Sequence, residues 1–423
     1  MISSRMRPSV FIALILLSAV TAADESKLDI GGHTKFNLTA QTFPDDSLFR
    51  DLIGSNSLDL QGDLRLNLKW RSERWTFDAA YQLIALHEDS LALAGSQAFS
   101  AFGPLGELLN DDRRLFDLTD IIDESSQNAV LHRLDRLWAG YANDKAVVRF
   151  GRQVLSWGNG LFYTPMDLVN PFDPAAIDTE YKTGDDMLYV QYLRDNGDDM
   201  QAAIVFRRDP LTGDVESDQA TSALKYHGFT DEYEFDVLIA ESYDDTVIGL
   251  GVSRGIGGAH WSADLVVTDA RTETYVEFVS NLSYSWTLAD RNMSGLLEYF
   301  FSGLGQHGER YDPASLAGNP DLLARLVRGQ SFTIGRNYLA GSVTIEMTPL
   351  WNVSPLLLAN LGDPSALLQL TSNYSLSDNM TLLGSINIPI GSNGSEFGGI
   401  DSGIPDRYFS TGFGLFAQFA WYF

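Results

Sequence analysis

From Ser57 to Arg71 apolar and polar residues alternate one for one. Leu58, Leu60, Gly62, Leu64, Leu66, Leu68 and Trp70 take the even positions, and Ser57, Asp59, Gln61, Asp63, Arg65, Asn67, Lys69 and Arg71 the odd ones. A helix would scatter these charges around its circumference, whereas a strand puts successive side chains on opposite faces. Soluble strands usually stop after about five or six residues. A strand of this length, at ~3.3 Å per residue and tilted by about 45°, is long enough to cross a bilayer.

The period recurs at 28–40, 75–83, 261–267 and 278–286. It predicts strands near 27–42, 57–71, 75–86, 129–142, 146–156, 186–193, 199–207, 222–228, 233–243, 246–254, 259–268, 273–287, 292–301, 332–347, 353–360, 366–376, 380–390 and 408–423. The fold class is all-β: a closed antiparallel transmembrane β-barrel of about 18 strands (roughly 16–20). Connection lengths agree with it. Short links at 72–74, 143–145, 194–198, 229–232, 255–258, 289–291, 348–352 and 377–379 fall at one end, as periplasmic turns would. The long ones, 87–128, 157–185, 208–221, 302–331 and 391–407, fall at the other, as extracellular loops would. Trp70, Trp75, Trp286, Trp351, Trp421 and Tyr422 gather at the expected periplasmic strand ends, where an interfacial aromatic ring belongs.

The N-terminus carries Arg5 and Arg7, an apolar run from Val10 to Val20 and small residues around Ala22. This is the pattern of a secretory signal peptide over 1–22, too short to span a membrane. The remainder, 23–423, reads as a single barrel whose first strand begins within a few residues, leaving no room for a plug domain. A mean hydropathy of −0.08 is what alternating lipid-facing and lumen-facing residues average to. The absence of cysteine excludes disulfides, thiolate metal sites and cysteine nucleophiles. A net charge of −27, two units more acidic without the leader's arginines, argues against nucleic acid as a partner. It suits acidic loops bridged by divalent cations to outer-membrane lipids and lipopolysaccharide.

The final strand places Phe419, Trp421 and Phe423 on one face. A terminal aromatic with aromatics two and four places before it resembles the signal read by the barrel assembly machinery. The chain is thus expected in the bacterial outer membrane.

Two loops stand out. In 87–128 an apolar first half, Leu91 to Leu109, precedes a charged second half with Asp111, Asp112, Arg113 and Arg114. The apolar half is expected to fold into the lumen or over its mouth; the alternative is a surface loop packed on its neighbours. The second loop follows Arg149 to Pro174, RFGRQVLSWGNGLFYTPMDLVNPFDP. Its Gly151-Arg152-Gln153, Trp157-Gly158 and Asn170-Pro171 with Asp173 resemble the DUF1302-type outer-membrane barrels, and the GRQ element is similar to one in alginate-export and porin-like barrels. The resemblance implies a channel or export role and no particular ligand.

Arg133, Asp135, Arg149 and Arg152 are the candidate lumen residues, because a lipid-facing arginine at mid-depth costs about 2–4 kcal/mol. Arg136 and Arg152 break the alternation, as a bulge or the barrel rim would make them do. The cluster reads either as a basic strip selecting solutes or as a salt-bridge network bracing the wall. The six histidines share no metal-ligand spacing. A pairing of His132 with a neighbouring serine has no motif supporting a barrel phospholipase, and acid pairs such as Asp111-Asp112 read as solvated turns. No enzyme activity and no cofactor are expected. The expected function is a porin-like channel for passive or weakly selective passage of small polar or anionic solutes; the alternative is a scaffold or sheath barrel whose lumen a partner protein occupies or which binds surface lipids.

Overall fold

The computed structural model describes residues 26–93 and 108–423. The expected leader, 1–22, and residues 94–107 of the longest loop lie outside the described residues. Eighteen strands form the wall. The first nine are β1 Lys27–Thr42, β2 Asn56–Arg71, β3 Trp75–Glu88, β4 Asn128–Ala142, β5 Ala146–Gln153, β6 Asp185–Leu193, β7 Asp199–Val205, β8 Thr221–Phe229 and β9 Glu234–Ser242. The rest are β10 Asp245–Ile256, β11 Ala259–Asp269, β12 Thr274–Leu288, β13 Arg291–Ser302, β14 Asn337–Thr348, β15 Trp351–Asn360, β16 Ser365–Ser377, β17 Met380–Ile390 and β18 Gly414–Tyr422. Each pairs antiparallel with its neighbours, and β1 pairs with both β2 and β18. The seam is finished by reciprocal backbone bonds between Gly32 and Phe423, at 2.9 and 3.1 Å.

All eighteen expected strands are present, with differences at their ends. β14 starts at Asn337 because Ile334 donates its N–H to Glu396 across the loops. β18 starts at Gly414 because Tyr408–Phe409 pairs with Ile400–Asp401 in a separate small hairpin. The short links and the long loops lie at opposite ends of the barrel, termed below the turn end and the loop end.

The faces are inverted relative to a soluble sheet. Leu58, Leu66, Phe150, Ile248, Leu282 and Leu297 point outward and are exposed, whereas Arg65, Asp264, Asn281, Glu298 and Gln418 point inward and are buried. Such an exposed apolar wall belongs in lipid, where all backbone polar groups must be paired and only helices or closed barrels are stable. No helix among the described residues is long and apolar enough to cross a membrane. Trp70, Trp75, Trp286, Trp351 and Trp421 do lie at the turn end. Tyr422, expected in that ring, instead turns inward and donates its hydroxyl to Glu180.

At the loop end β5 and β6 stop short. A short strand, Thr119–Glu124, pairs with β4 where β5 has left it, and Arg113 and Arg114 bond to residues 207 and 208 beyond β7. The charged half of the 89–127 connection thereby closes a gap in the wall. An arginine introduced at Leu282 is expected to lower unfolding free energy in lipid vesicles by about 2–4 kcal/mol, against under about 1 kcal/mol for the inward Ser283→Arg. Urea titrations of the two variants measure the difference.

Candidate functional site

The chain that leaves β5 does not rise above the barrel; residues 154–184 turn into the lumen and circle its inner wall. The departure is built at Gly151-Arg152-Gln153. Gly151 has φ +121°, and a Cβ there would sit 2.2 Å from the Leu137 carbonyl oxygen, so only glycine lets β5 bend away against β4. Gln153 is buried and donates to the Met187 carbonyl.

The belt meets the strands in wall order. Trp157 donates its indole N–H to Gln201 on β7 at 2.7 Å. Asn159 donates from its backbone and its side chain to the Asp264 carboxylate on β11, at 2.6 and 2.7 Å. The N–H groups of Leu161, Phe162 and Tyr163 converge on Glu298 of β13 at 2.7, 3.0 and 2.7 Å. Gln369 on β16 donates to the Ala175 carbonyl. Asp178 accepts from Gln418 on β18 at 2.7 Å and from Lys35 on β1 at 2.6 Å. Glu180 takes a second contact from the same ammonium at 2.8 Å. The Arg65 guanidinium of β2 lies 4.3 Å over the Tyr181 ring, and Arg136 of β4 donates to the Lys182 carbonyl. Lys182 then donates to the Leu155 carbonyl at 2.6 Å and pairs with Asp167, clasping the end of the belt to its beginning.

Apolar packing holds the belt to the wall. Leu155, Trp157, Met166, Leu168 and Val169 bury against inward Met187, Val205, Leu238, Val247 and Val266. Tyr163 stacks on Phe300 at 4.7 Å beside Tyr338 and Leu358. The loop half of the barrel thus has a hydrophobic core inside it. The turn half is polar, with a cavity of about 390 Å³ against Ser285, Asn292, Ser294, Thr344 and Glu346.

The lumen candidates separate. A bulge at Asp135, opposite the Ala80–Tyr81 step of β3, turns both Asp135 and Arg136 inward and accounts for the broken alternation. The Asp135 carboxylate takes Arg65 at 2.8 Å, Arg133 at 3.2 Å and Arg136 at 2.6 Å. Arg133, which also reaches Gln82, is buried in this network with Asp135. Arg149 faces the lumen between the rings of Trp138 and Tyr189, at 5.5 and 4.3 Å, and no carboxylate pairs with it among the described residues. Arg152 is a correction. It sits opposite outward Leu137 and two places from outward Phe150, so it lies on the outer face and not in the lumen. There it pairs with Asp186 and Asp111 and donates to the Phe116 carbonyl, stitching the wall patch to β5 and β6.

The loop-motif residues shape the belt. Trp157 is buried, Gly158 has φ +94° beneath Met166, Asn170 has φ 50° before Pro171, and Asp173 accepts from the Ala175 N–H. Phe419, Trp421 and Phe423 share the outward face of the closing strand and its end. The inward fold expected of the apolar half of the 87–128 loop falls mostly on 94–107, outside the described residues, whereas the 157–185 loop does enter the lumen. Lys35, Asp178, Glu180, Tyr181, Lys182, Asp264 and Glu298 were not singled out from the sequence; the available signal was a set of charged inward strand positions facing charges in a long loop.

Above the belt, Glu396 accepts from Ile334 N–H, Tyr338 and Asn360. Burial pushes its carboxyl up to about 7 despite these donors. The folded loops therefore bind this proton more tightly than the unfolded chain, and the stabilisation is lost as pH rises from about 4.5 through about 7. Amide exchange in 303–336 and 391–413, corrected for intrinsic rates, is expected to be slower at acid than at alkaline pH, and Glu396→Gln to flatten the difference. Lys182→Met leaves Asp167 buried without its cation, at a cost of about 3–5 kcal/mol. Faster proteolysis within 154–184, with the barrel intact, is the expected reading.

No family model matches the sequence, and no curated protein matches it. Solved structures match the fold. OccK5 (OpdH) of Pseudomonas aeruginosa superposes with a TM-score of 0.54 at 10% identity, covering 94% of this chain and 98% of that one. OccAB3 of Acinetobacter baumannii gives 0.51 at 9%, covering 95% and 100%. A BenF-like porin from Pseudomonas fluorescens Pf-5 gives 0.51 at 8%, covering 95% and 99%. At these identities the likeness is one of fold: the chain is similar to outer-membrane porin barrels.

Proposed function

We propose that the chain is an outer-membrane channel that passes small polar or anionic solutes through the eyelet left by its own belt. The observation carrying this reading is Arg149, an inward guanidinium held between two rings and paired with no carboxylate among the described residues. Arg65, Arg133 and Arg136 share the single Asp135 carboxylate, so this side of the lumen is net positive in a chain of net charge −27. A field of that sign raises local anion concentration and entry rate. The fold likeness to porins supports the reading, as does the polar turn half, whose hydroxyls and amides replace part of a solute's hydration. The DUF1302 and alginate-export resemblance enters as a likeness of the β5–belt junction, compatible with either direction of transport.

In this reading the chain is exported behind its 1–22 leader and inserted by the assembly machinery through Phe419, Trp421 and Phe423, with lipopolysaccharide around its loop end. A scaffold role, with the lumen held by a partner protein, loses support because the belt already occupies that level. Steady ohmic steps are expected from the purified protein in planar bilayers, with a reversal potential favouring anions under a salt gradient. Arg149→Glu is expected to move that potential toward cations. An unchanged ratio would remove the selectivity claim, and a closed barrel would remove the channel.

A further inference from the structure

The two sides of the turn half differ in charge. From β2 to β9 its inward positions carry charges that pair across strands, Lys69 with Asp78 at 3.6 Å and Lys225 with Asp236 at 3.0 Å. From β12 to β17 the antiparallel register builds two rows of almost uncharged polar groups. Ser285, Ser294, Thr344, Ser354, Thr371 and Ser385 stand side by side, one hydroxyl on each of six strands. Next to them Thr287, Asn292, Glu346, Asn352 and Asn373 form an amide-rich row, whose one carboxylate, Glu346, accepts from Asn292 at 2.9 Å. With neighbouring strands ~4.8 Å apart, the hydroxyl row runs about 24 Å around the wall. Strands tilted by about 45° make that circuit a descent through the lumen as well.

A water-filled lumen does not require this. It accepts charges equally well, as the opposite wall shows, and asparagine is depleted in strands. The groups are also unengaged. Ser285, Ser294, Asn352 and Asn373 are exposed to the lumen, and among the described residues their side chains have no hydrogen-bond partner. The cavity of about 390 Å³ stands directly against Ser285, Asn292, Ser294, Thr344 and Asn352. We infer that this face is a binding track for an uncharged polyhydroxylated solute, of the size of a mono- or disaccharide. The inference rests on the channel reading and adds a solute class to it. Hydroxyls and amides both donate and accept. A sugar hydroxyl does the same, so it exchanges water for wall groups without a counter-charge. A carboxylate, which only accepts, finds no cation in either row and is left to the Arg149 side. Passage needs sites that are weak and repeated, and six similar strands supply them.

Saturation-transfer NMR of sucrose with the barrel in a zwitterionic detergent reads weak binding without requiring conduction. Sucrose is expected to give a saturable signal, and tetraethylene glycol, an ether chain with a hydroxyl only at each end, to give little. Ser294→Ala/Asn352→Ala removes two unengaged groups and breaks no side-chain bond within the barrel. Its affinity for sucrose is expected to fall on the order of tenfold, about threefold for each lost hydrogen bond. Heat-modifiable gel migration checks that the variant is folded, and each single substitution stands in if it is not. Equal affinity in wild type and variant, or no sucrose signal in either, overturns the inference. Planar-bilayer records separate the two readings: ohmic steps with equal affinities leave the channel and sink the track, whereas sucrose binding weakened in the variant, without steps, leaves the binding face and sinks the channel.

Discussion

The backbone hydrogen bonds between the first and last strands set the terms for everything else. Lys27–Thr42 is paired on one side with its sequence neighbour and on the other with Gly414–Tyr422, at the far end of the chain. In lipid an open edge would leave a column of N–H and C=O groups without partners, each costing several kcal/mol. Closure removes both edges at once and divides space into an outside that must be apolar and an inside that need not be. Gly32 shows how tight the seam is: a Cβ there would lie 2.1 Å from the Arg65 carbonyl oxygen and 3.0 Å from the Phe423 ring.

Closing eighteen strands creates a second problem, because so wide a barrel encloses more space than its inward side chains fill. The belt meets it from within the chain. Because it runs inside a protein-lined lumen, its irregular backbone needs partners that a loop in water would find in solvent. Glu298 and Asp264 provide them, each carboxylate collecting several N–H donors from a short stretch of loop. The wall carboxylates thus act as caps for loop backbone, and two cations, Lys35 of the wall and Lys182 of the belt itself, take the belt's own acids. Diverting β5 inward leaves a hole in the wall, which the Asp111–Glu124 segment closes around Arg152. Belt and patch are therefore one structural solution, joined at the GRQ element.

Much of this was legible because strand periodicity and lipid chemistry act on each residue separately. A leucine at an outward position is selected by the bilayer whatever its neighbours are, so Leu58, Leu282 and their equivalents declare the face, and turn lengths declare the order of strands. The inward faces of Arg133, Asp135 and Arg149 followed from the same argument. Arg152 did not, because its cost on the outer face is cancelled by Asp111, a residue 41 positions away that covers it.

The amino-acid sequence alone thus determined the barrel, the approximate bounds of its strands, and which end carries the loops. Those properties follow from a local period and a uniform solvent. Only the tertiary structure decided which loop enters the lumen, which arginines are neutralised, and which carboxylates hold the belt. Those depend on pairs such as Lys35–Asp178 and Leu161–Glu298, separated by 143 and 137 residues. No local pattern encodes such pairs; they exist once closure has brought the far walls of one lumen within reach of a single loop.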